Sequence, residues 1–242
     1  MKALLTAFLA TLALAASANE KRTIDLVVAG KSVAVDVHLS APKARPRGGV
    51  VLAHGLLRTR ETMAGFAKEL ASRGLVAVAP DMPTVADPRI NAQALRDVVA
   101  ALRAGKLSAP VDHVVLVGFS IGGLWTILAA DAPGVVGWVG LDPVDVPDQR
   151  GLQAARSLRV PATLVRAPPT PCNAFGTAVP WAGAFEKPAG DTLVSDATHC
   201  DFESPTDAGC KFLCGETDAR RERRVMDAVV TAVMARFPAP AR

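Results

Sequence analysis

One stretch of the chain, residues 114–123, constrains the fold more than any other. It reads Val-Val-Leu-Val-Gly-Phe-Ser-Ile-Gly-Gly, so that four apolar residues, three of them β-branched, lead into a Gly-x-Ser-x-Gly motif. An apolar stretch of helical composition, residues 124–130, follows. This order predicts a buried strand, a sharp turn and a helix, with Ser120 at the apex of the turn. Because such a turn strains the backbone, the residues two before and two after the serine must be small.

The start of the chain reads as a secretory signal peptide. Residues 1–18 contain Lys2, an apolar run over residues 3–16 and an Ala-Ser-Ala cleavage site. We expect cleavage after Ala18, export to the periplasm or the medium, and one mature α/β domain over residues 19–242. The apolar run is short for a membrane span, so we expect no stable membrane insertion after cleavage. An uncleaved membrane anchor is the alternative.

The charge of the chain argues against nucleic acid as a partner. The formal net charge is +4 over 242 residues, and it falls to +3 once Lys2 is removed with the signal peptide. A nucleic-acid-binding surface needs a clustered basic patch, which this mild excess does not supply. The one dense basic run, residues 220–224, falls early in the last predicted helix, and we interpret it as a solvated face.

Four cysteines, Cys172, Cys200, Cys210 and Cys214, predict two disulfides in an exported chain. If Cys210 and Cys214 lie on a helix, their side chains are poorly directed for bonding each other. We therefore expect each of them to pair with Cys172 or Cys200, which leaves two connectivities open. A zinc site is the alternative, but the cysteines lack paired Cys-x-x-Cys spacing and have one histidine nearby. We expect neither a metal nor an organic cofactor.

Strands and helices alternate along the rest of the chain. A β-hairpin is predicted over residues 23–28 and 32–39. Further strands are predicted at residues 49–55, 75–81, 135–141, 162–165 and 192–194, and helices at residues 63–72, 91–103, 149–158 and 217–237. Several of these strands are continuously apolar, which indicates a mostly parallel twisted sheet with helices on both faces and the N-terminal hairpin as an antiparallel edge. This order resembles the α/β-hydrolase fold.

A serine hydroxyl needs a base before it can act as a nucleophile, and His199 is the candidate base for Ser120. In this fold the catalytic residues follow one another in the order serine, acid, histidine. Of the four histidines, His199 alone follows Ser120 in the sequence. It lies in a loop after the last predicted strand, at the sheet edge where the strands end.

The acid that orients the histidine has two candidates at the end of one strand. Its usual place is the loop after the strand at residues 162–165, but residues 166–173 contain no carboxylate. The preceding strand ends in Asp142, which we therefore predict to be the acid. Asp145 is the reserve candidate, because it could instead cap the following helix, as could Asp148.

The oxyanion of an ester-hydrolysis intermediate needs backbone donors, and we predict those of Ile121 and Leu56. Ile121 follows the nucleophile at the start of a helix. Leu56 lies in the loop at residues 54–57, where a glycine lets the backbone turn inward. We interpret His54 as structural, orienting this loop.

These motifs together resemble the chlorophyllase branch of the α/β-hydrolases over nearly the whole mature chain. Plant chlorophyllases have a similar His-Gly-x-Leu loop, matching residues 54–57, and a strand ending in Ala-Pro, matching residues 79–80. They also carry a Gly-x-Ser-x-Gly-Gly elbow, matching residues 118–123, and a Gly-x-Asp-Pro-Val-Asp segment, matching residues 140–145. A similar histidine loop and a cysteine-rich stretch follow.

The resemblance implies Ser120, Asp142 and His199 as a catalytic triad. An acid after the sixth strand is also similar to platelet-activating-factor acetylhydrolases. Phe119 and Ile121 flank the serine where the plant enzymes typically have His and Arg. The resemblance therefore implies the ester-cleaving machinery rather than chlorophyll itself as the substrate.

We predict an exported serine carboxylic-ester hydrolase that acts through an acyl-enzyme on a small-molecule or lipid-like ester. A lipid or polyester hydrolase of the acetylhydrolase or cutinase type is the alternative within enzymes. A non-catalytic binding protein on the same fold is the alternative from another class, and peptidase or acyltransferase activity fits the same site.

The sequence leaves the substrate-binding residues undefined. Candidates for the wall of a pocket are Leu56, Leu57, Phe119, Ile121 and Trp181, each of which could equally belong to the core. Two arginines beside the predicted oxyanion loop, Arg58 and Arg60, could meet an acidic group of a substrate or be solvated surface charges.

Overall fold

The computed structural model describes residues 20–39, 46–85, 87–186 and 190–238. The predicted signal peptide and its cleavage site lie outside these residues. The strands are β1 (Glu20–Val28), β2 (Lys31–Leu39), β3 (Gly49–Ala53), β4 (Val76–Pro80), β5 (Val114–Phe119), β6 (Val135–Leu141), β7 (Ala162–Arg166) and β8 (Gly190–Leu193). The helices are α1 (Ala64–Ser72), α2 (Pro88–Arg103), α3 (Ile121–Leu128), α4 (Arg150–Ser157), α5 (Ala208–Cys214) and α6 (Ala219–Met234). Short 3-10 helices cover Arg60–Met63, Pro171–Asn173, Val179–Gly183 and His199–Phe202.

The eight strands form one mixed sheet in the order β1-β2-β4-β3-β5-β6-β7-β8. The hairpin β1–β2 is antiparallel, and β2 joins the rest of the sheet through an antiparallel pairing with β4. The pairings from β4 through β3, β5, β6 and β7 to β8 are parallel. The predicted fold class, an α/β-hydrolase fold with an antiparallel N-terminal hairpin, is confirmed.

The hydrophobic core consists of two layers, one on each face of the sheet. Successive side chains of a strand point to opposite faces, and in β5 Val114 and Leu116 join one layer while Val115 and Val117 join the other. Apolar residues of α2, α3 and α4 complete the first layer, and those of α1 and α6 complete the second. The continuous apolar runs of the central strands therefore reflect burial on both faces.

The structure shifts several predicted boundaries and adds one helix. The helix predicted to begin at residue 91 begins at Pro88, after Asp87, whose carboxylate accepts hydrogen bonds from the N–H groups of Arg89 and Ile90. The last helix ends at Met234 instead of residue 237. The last strand begins at Gly190 instead of residue 192. Helix α5 was not assigned from the sequence.

The disulfides join Cys172 to Cys214 and Cys200 to Cys210. Each cysteine of α5 thus pairs with Cys172 or Cys200, as expected from their placement on a helix. The sulfur atoms of Cys200, Cys210 and Cys214 lie within 4.8 Å of one another. Because all three are disulfide-bonded, they offer no thiolate ligand for zinc.

The basic run at residues 220–224 is a mostly solvated face, as expected, with Arg220, Arg223 and Arg224 exposed and Arg221 as the exception. Arg221 pairs with Asp201, which is fully buried, and Arg224 pairs with Asp196.

In the described part of the chain, every helix is too short or too polar to cross a membrane.

Candidate active site

Ser120 occupies the turn between β5 and α3 with φ 54° and ψ −126°. A residue with a side chain avoids this region of backbone space, so the turn is strained. The neighbouring glycines allow it. A Cβ atom on Gly118 would lie 2.3 Å from the carbonyl oxygen of Gly122, and one on Gly122 would lie 2.4 Å from the carbonyl oxygen of His54. The small residues predicted around the serine are therefore required by close packing of the backbone.

Strand β6 holds the serine turn in place. The N–H of Ser120 donates to the carbonyl oxygen of Leu141 at 3.0 Å, and the N–H of Val144 donates to the carbonyl oxygen of Ser120 at 3.1 Å. Phe119 and Leu141 are register partners in β5 and β6. Ser120 and Asp142 each follow one of these partners, so the pairing of the two strands places them side by side.

The structure brings together the three residues predicted as a triad. His199 Nε2 lies 3.0 Å from Ser120 Oγ, and His199 Nδ1 lies 2.6 Å from Asp142 Oδ2. All three side chains are buried. The ring of Phe119 packs against the imidazole of His199, with 4.7 Å between centroids and a tilt of 36°. The hydrogen-bonded order serine, histidine, aspartate is that of a nucleophile, a base and its orienting acid.

Asp142 has a further partner that the sequence did not reveal. The side-chain Nδ2 of Asn173 donates to both carboxylate oxygens of Asp142 at 3.2 Å, and the N–H of Ala167 donates to Oδ1 at 3.0 Å. Asn173 is almost fully buried, and its Oδ1 accepts a hydrogen bond from the N–H of Thr170 at 2.8 Å. The loop after β7 thus contributes an amide in place of a carboxylate. A search of that loop for hydrogen-bond donors would have found it.

The reserve acid, Asp145, serves another part of the fold. Its Oδ1 accepts hydrogen bonds from the N–H groups of Val146 and Gly151, and its Oδ2 from the N–H of Leu152 and from Trp181 Nε1. Two of these donors lie in the first turn of α4, where N–H groups lack helical partners. The carboxylate of Asp145 is therefore occupied as a helix cap.

Asp148, the other candidate cap, is half-exposed and pairs with Arg150 at the start of α4.

His54 anchors the loop that follows β3. Its Nε2 accepts a hydrogen bond from the N–H of Met82 at 3.2 Å, so the proton of the neutral ring is on Nδ1, which lies 2.8 Å from the carbonyl oxygen of Gly55. Burial lowers the pKa of His54, because a charged imidazolium is poorly solvated there. These contacts agree with the structural role expected for His54.

A cavity of about 640 Å³ opens beside Ser120 and His199. Four of the five candidate wall residues line it, namely Leu56, Leu57, Phe119 and Ile121. Trp181 does not. It is fully buried in the core, with its ring 5.8 Å from that of Trp138 and its N–H bonded to Asp145. Trp181 is therefore a core residue, which was the alternative left open for it, and its indole fills space beneath α4.

The two predicted oxyanion donors, the backbone N–H groups of Leu56 and Ile121, belong to residues that line the cavity beside Ser120. Ile121 is the first residue of α3, where N–H groups have no acceptor within the helix and the helix dipole favours negative charge.

Arg58 lines the cavity, but its charge is compensated. Its Nε lies 2.8 Å from Glu203 Oε1, and its Nη1 lies 2.8 Å from Asp207 Oδ2. Burial raises the pKa of Glu203, and the charge of Arg58 opposes this shift. The side chain of Arg58 is only 18% exposed. Neither expectation, a partner for an acidic substrate or a solvated surface charge, describes it.

Arg60 lies in a second ionic cluster, with Asp36 and Asp81. Burial acts to raise the pKa of Asp36, but hydrogen bonds from Lys21, Thr23 and Arg60 outweigh it and lower this pKa. Arg60 is mostly buried in these ion pairs, so it too is neither solvated nor directed at a substrate.

Comparison with known proteins gives a family match and many similar solved structures. The sequence profile described as "Alpha/beta hydrolase family" matches residues 50–240. A dienelactone hydrolase-like promiscuous phosphotriesterase from metagenomic libraries is 20% identical, with a TM-score of 0.71 over 91% of this chain and 100% of that chain. A predicted CIB-like hydrolase from Thermoplasma acidophilum is 16% identical, with a TM-score of 0.65 over 88% of this chain and 100% of that chain. At these identities, the structural likeness shows the fold alone. No curated protein matches the sequence significantly.

Proposed function

Because the chain belongs to the α/β hydrolase family, we propose that it is a serine hydrolase of carboxylic esters that acts through an acyl-enzyme on Ser120. The observation that carries this proposal is the continuous chain of short contacts from Ser120 Oγ to His199 and on to Asp142, with distances of 3.0 and 2.6 Å. Such a triad is identified by geometry and roles rather than by sequence position.

In the first half of the reaction, His199 Nε2 accepts the proton of Ser120 Oγ while this oxygen attacks the carbonyl carbon of the ester. Asp142 Oδ2 accepts a hydrogen bond from His199 Nδ1, which fixes the tautomer of the ring and stabilises its charged form. The imidazolium then returns the proton to the oxygen of the leaving alcohol. Water attacks the acyl-enzyme along the same path, with His199 again as the base, and releases the acid.

The negative charge of the tetrahedral intermediate needs donors fixed in advance. We assign this role to the N–H groups of Ile121 and Leu56. Loss of one such donor typically lowers the rate by about 10²-fold to 10³-fold. Phe119 supports the same step indirectly, since its packing against the imidazole limits rotation of His199.

The cavity favours an uncharged ester with a large apolar part. Its volume of about 640 Å³ lies within the range of small-molecule sites, and its walls are mainly apolar. The charge of Arg58 is already neutralised by Glu203 and Asp207. The name of the metagenomic phosphotriesterase makes a neutral phosphotriester a useful second substrate to assay.

We also propose that the protein is exported. Two disulfides, Cys172–Cys214 and Cys200–Cys210, support an oxidising compartment, as does the signal-like composition of residues 1–18. Secretion from a host that carries the full chain, followed by N-terminal sequencing of the product, tests the expected cleavage after Ala18. A product that retains residue 1 would contradict it.

The decisive experiment combines a fluorophosphonate probe with ester hydrolysis. We expect the probe to label Ser120 in the parent protein and to leave Ser120→Ala unlabelled and inactive. Asp142→Asn should lower kcat by about 10³-fold or more, because the amide favours the wrong histidine tautomer. Asp148→Asn is the matched control, since Asp148 is a half-exposed carboxylate near the same strand end, and it should keep its activity.

Two results would overturn the proposal. One is ester cleavage by folded Ser120→Ala at the parent rate. The other is a folded parent protein that binds esters tightly without turnover, which would favour the non-catalytic binding protein instead.

A further inference from the structure

Large apolar side chains stand in solvent around the mouth of the cavity. The described residues include eight exposed large hydrophobic side chains. Four of the eight, Leu56, Leu57, Val85 and Leu213, also line the cavity. Phe175 follows a wall residue, Ala174, and Phe212 precedes the wall residue Leu213. We call these six residues the apolar rim: Leu56, Leu57, Val85, Phe175, Phe212 and Leu213.

The other two exposed residues do not line the cavity. Val27 is on β1 and Leu193 is on β8, which are the two outermost strands of the sheet. Scattered single apolar residues on a surface need no explanation, whereas a contiguous apolar patch marks an interaction site. The exposed apolar surface is therefore concentrated at the proposed active site.

Helix α5 presents the most exposed part of the rim. Four of its residues, Gly209, Cys210, Leu213 and Cys214, face the cavity. Phe212 lies at the border of this face, because neighbouring helical residues are about 100° apart. It is 89% exposed. Both disulfides end in α5, so the helix is attached to the fold by covalent bonds rather than by burial of its apolar side chains.

Backbone strain shows that part of this exposure is imposed by the fold. Leu57 has φ 56° and Phe175 has φ 57°, a left-handed conformation that bulky residues rarely adopt. Both side chains are more than two-thirds exposed. Strained residues persist where the surrounding structure holds them, and they cluster at functional sites. At both positions the strained backbone carries a large apolar side chain into water.

We propose that the apolar rim docks the protein on the surface of a condensed, uncharged lipid ester, from which substrate molecules enter the cavity. This inference rests on the proposed function. The rim is continuous with the proposed substrate cavity, whose charged wall residue, Arg58, is neutralised by Glu203 and Asp207. A neutral ester phase matches both the apolar rim and the compensated cavity.

The position of the rim argues against a protein as its occupant. Anything seated on the rim covers the mouth of the cavity. A second copy of the chain, or a partner protein, would therefore block the entry of substrate. A lipid ester phase covers the same mouth and supplies the substrate through it.

The binding experiment uses the full oxidised mature chain with Ser120→Ala, which prevents turnover, and droplets of triolein as the ester phase. Flotation of the droplets measures the bound fraction. We expect the added substitutions Phe175→Ser and Phe212→Ser to lower the partition coefficient by about 10-fold or more. Val27→Ser with Leu193→Ser is the matched control. It removes two exposed apolar side chains at the sheet edges and should leave the partition coefficient unchanged.

The kinetic experiment uses the same substitutions with Ser120 intact. Neither Phe175 nor Phe212 lines the cavity, so both pairs of substitutions should leave hydrolysis of a soluble nitrophenyl acetate unchanged. On emulsified triolein, the rim variant should lose about 10-fold in rate and the edge variant should not. Circular dichroism and thermal unfolding establish that both variants are folded.

The outcomes separate this inference from the proposed function. Absence of soluble-ester hydrolysis in the parent protein would refute the proposed function, and the flotation result does not depend on it. Equal flotation of the rim and edge variants would refute the docking of the rim. Binding to anionic vesicles but not to triolein droplets would also refute it. So would a dimer in solution that the rim substitutions convert to a monomer, since the rim would then be a subunit interface.

Discussion

Removal of the side chain of Asn173 should impair catalysis more than it changes substrate binding. Its Nδ2 donates to both carboxylate oxygens of Asp142 and to the carbonyl oxygen of Pro168, and its Oδ1 accepts from the N–H of Thr170. Asn173→Ala deletes all of these contacts. Asp142 would keep its hydrogen bonds to His199 and to the N–H of Ala167, but its carboxylate would lose the donor that fixes its rotation.

The size of the effect follows from the charge on Asp142. A hydrogen bond to a charged group contributes about 1.5–3 kcal/mol. If this energy is lost in the transition state, where the imidazolium of His199 relies on Asp142, kcat falls by about 10-fold to 100-fold. KM should change less than kcat, because the side chain of Asn173 does not itself line the cavity, whereas its neighbours Cys172 and Ala174 do. The melting temperature should also fall, since the N–H of Thr170 loses its acceptor.

The assay is steady-state hydrolysis of a soluble ester together with thermal unfolding. Asn91→Ala is the matched control, because Asn91 is also buried and also bridges a loop, through hydrogen bonds with the backbone of Thr84. It should lower the melting temperature with kcat unchanged. Asn173→Asp keeps an acceptor for Thr170 but places a second carboxylate against Asp142, so its activity at neutral pH should be lower still.

A folded Asn173→Ala variant that loses stability but keeps the kcat of the parent would contradict the role assigned to Asn173. An equal loss of kcat in Asn91→Ala would also contradict this role, since the effect would then come from general loosening of the fold.

Three further predictions concern stability. Asp145→Ala should lower the free energy of unfolding by about 3 kcal/mol or more in urea, because four donors lose one buried acceptor. Its folded fraction should remain active, and inactivity there would contradict the assignment of Asp142 as the acid. Burial lowers the pKa of His54, so the unfolded chain binds a proton that the native state excludes. The unfolding temperature of the parent should therefore fall as the pH decreases below about 6.5. The fall should be less steep in His54→Gln, and equal slopes in the two proteins would exclude His54 as its cause. Replacing Cys172 and Cys214 together by Ala should cost up to ~4 kcal/mol, given their separation of 42 residues, and an unchanged denaturation midpoint would contradict this value.

The predictable part of the fold is the part with a strong apolar pattern. Strands β3, β4, β5 and β6 were located to within one or two residues, because each is apolar along almost its whole length. Strand β8 is exposed at every position, so its first residues gave no apolar signal. Helix α5 has Gly209 and Cys210 in its first turn, and it exposes Phe212 and Leu213. This composition does not indicate an amphipathic helix.

In the candidate site, too, the sequence predicts the residues that a local pattern identifies and misses the role of those that do not belong to one. Ser120 and His199 could be predicted, because one lies in a motif and the other is the single histidine after it. Asp142 and Asp145 end the same strand three residues apart, and only the folded chain shows that Asp145 binds four other donors. Asn173 reaches Asp142 across 31 residues of sequence, a contact that local patterns do not encode.

Long-range pairing also explains the misinterpreted arginines. Arg58 and Arg60 follow a loop of the kind that usually carries solvated charges. Their carboxylate partners, such as Glu203 and Asp36, come from distant parts of the chain. Burial of these pairs depends on how β2 and the segment after His199 each pack against residues 58–60, which the sequence around the arginines does not specify.

The pairing of β5 with β6 determines how activity should be lost on heating. Ser120 and Asp142 directly follow the last residues of β5 and β6, which are adjacent strands in the centre of the sheet and pair in register there. His199 begins the short 3-10 helix that follows β8, an exposed strand of four residues at the sheet edge. Edges open at a lower free energy than central strands. We therefore expect the imidazole to detach while the serine and aspartate stay in place. Inactivation should then be reversible and should precede the melting of the domain, and the Cys200–Cys210 bridge beside His199 limits how far the loop can travel.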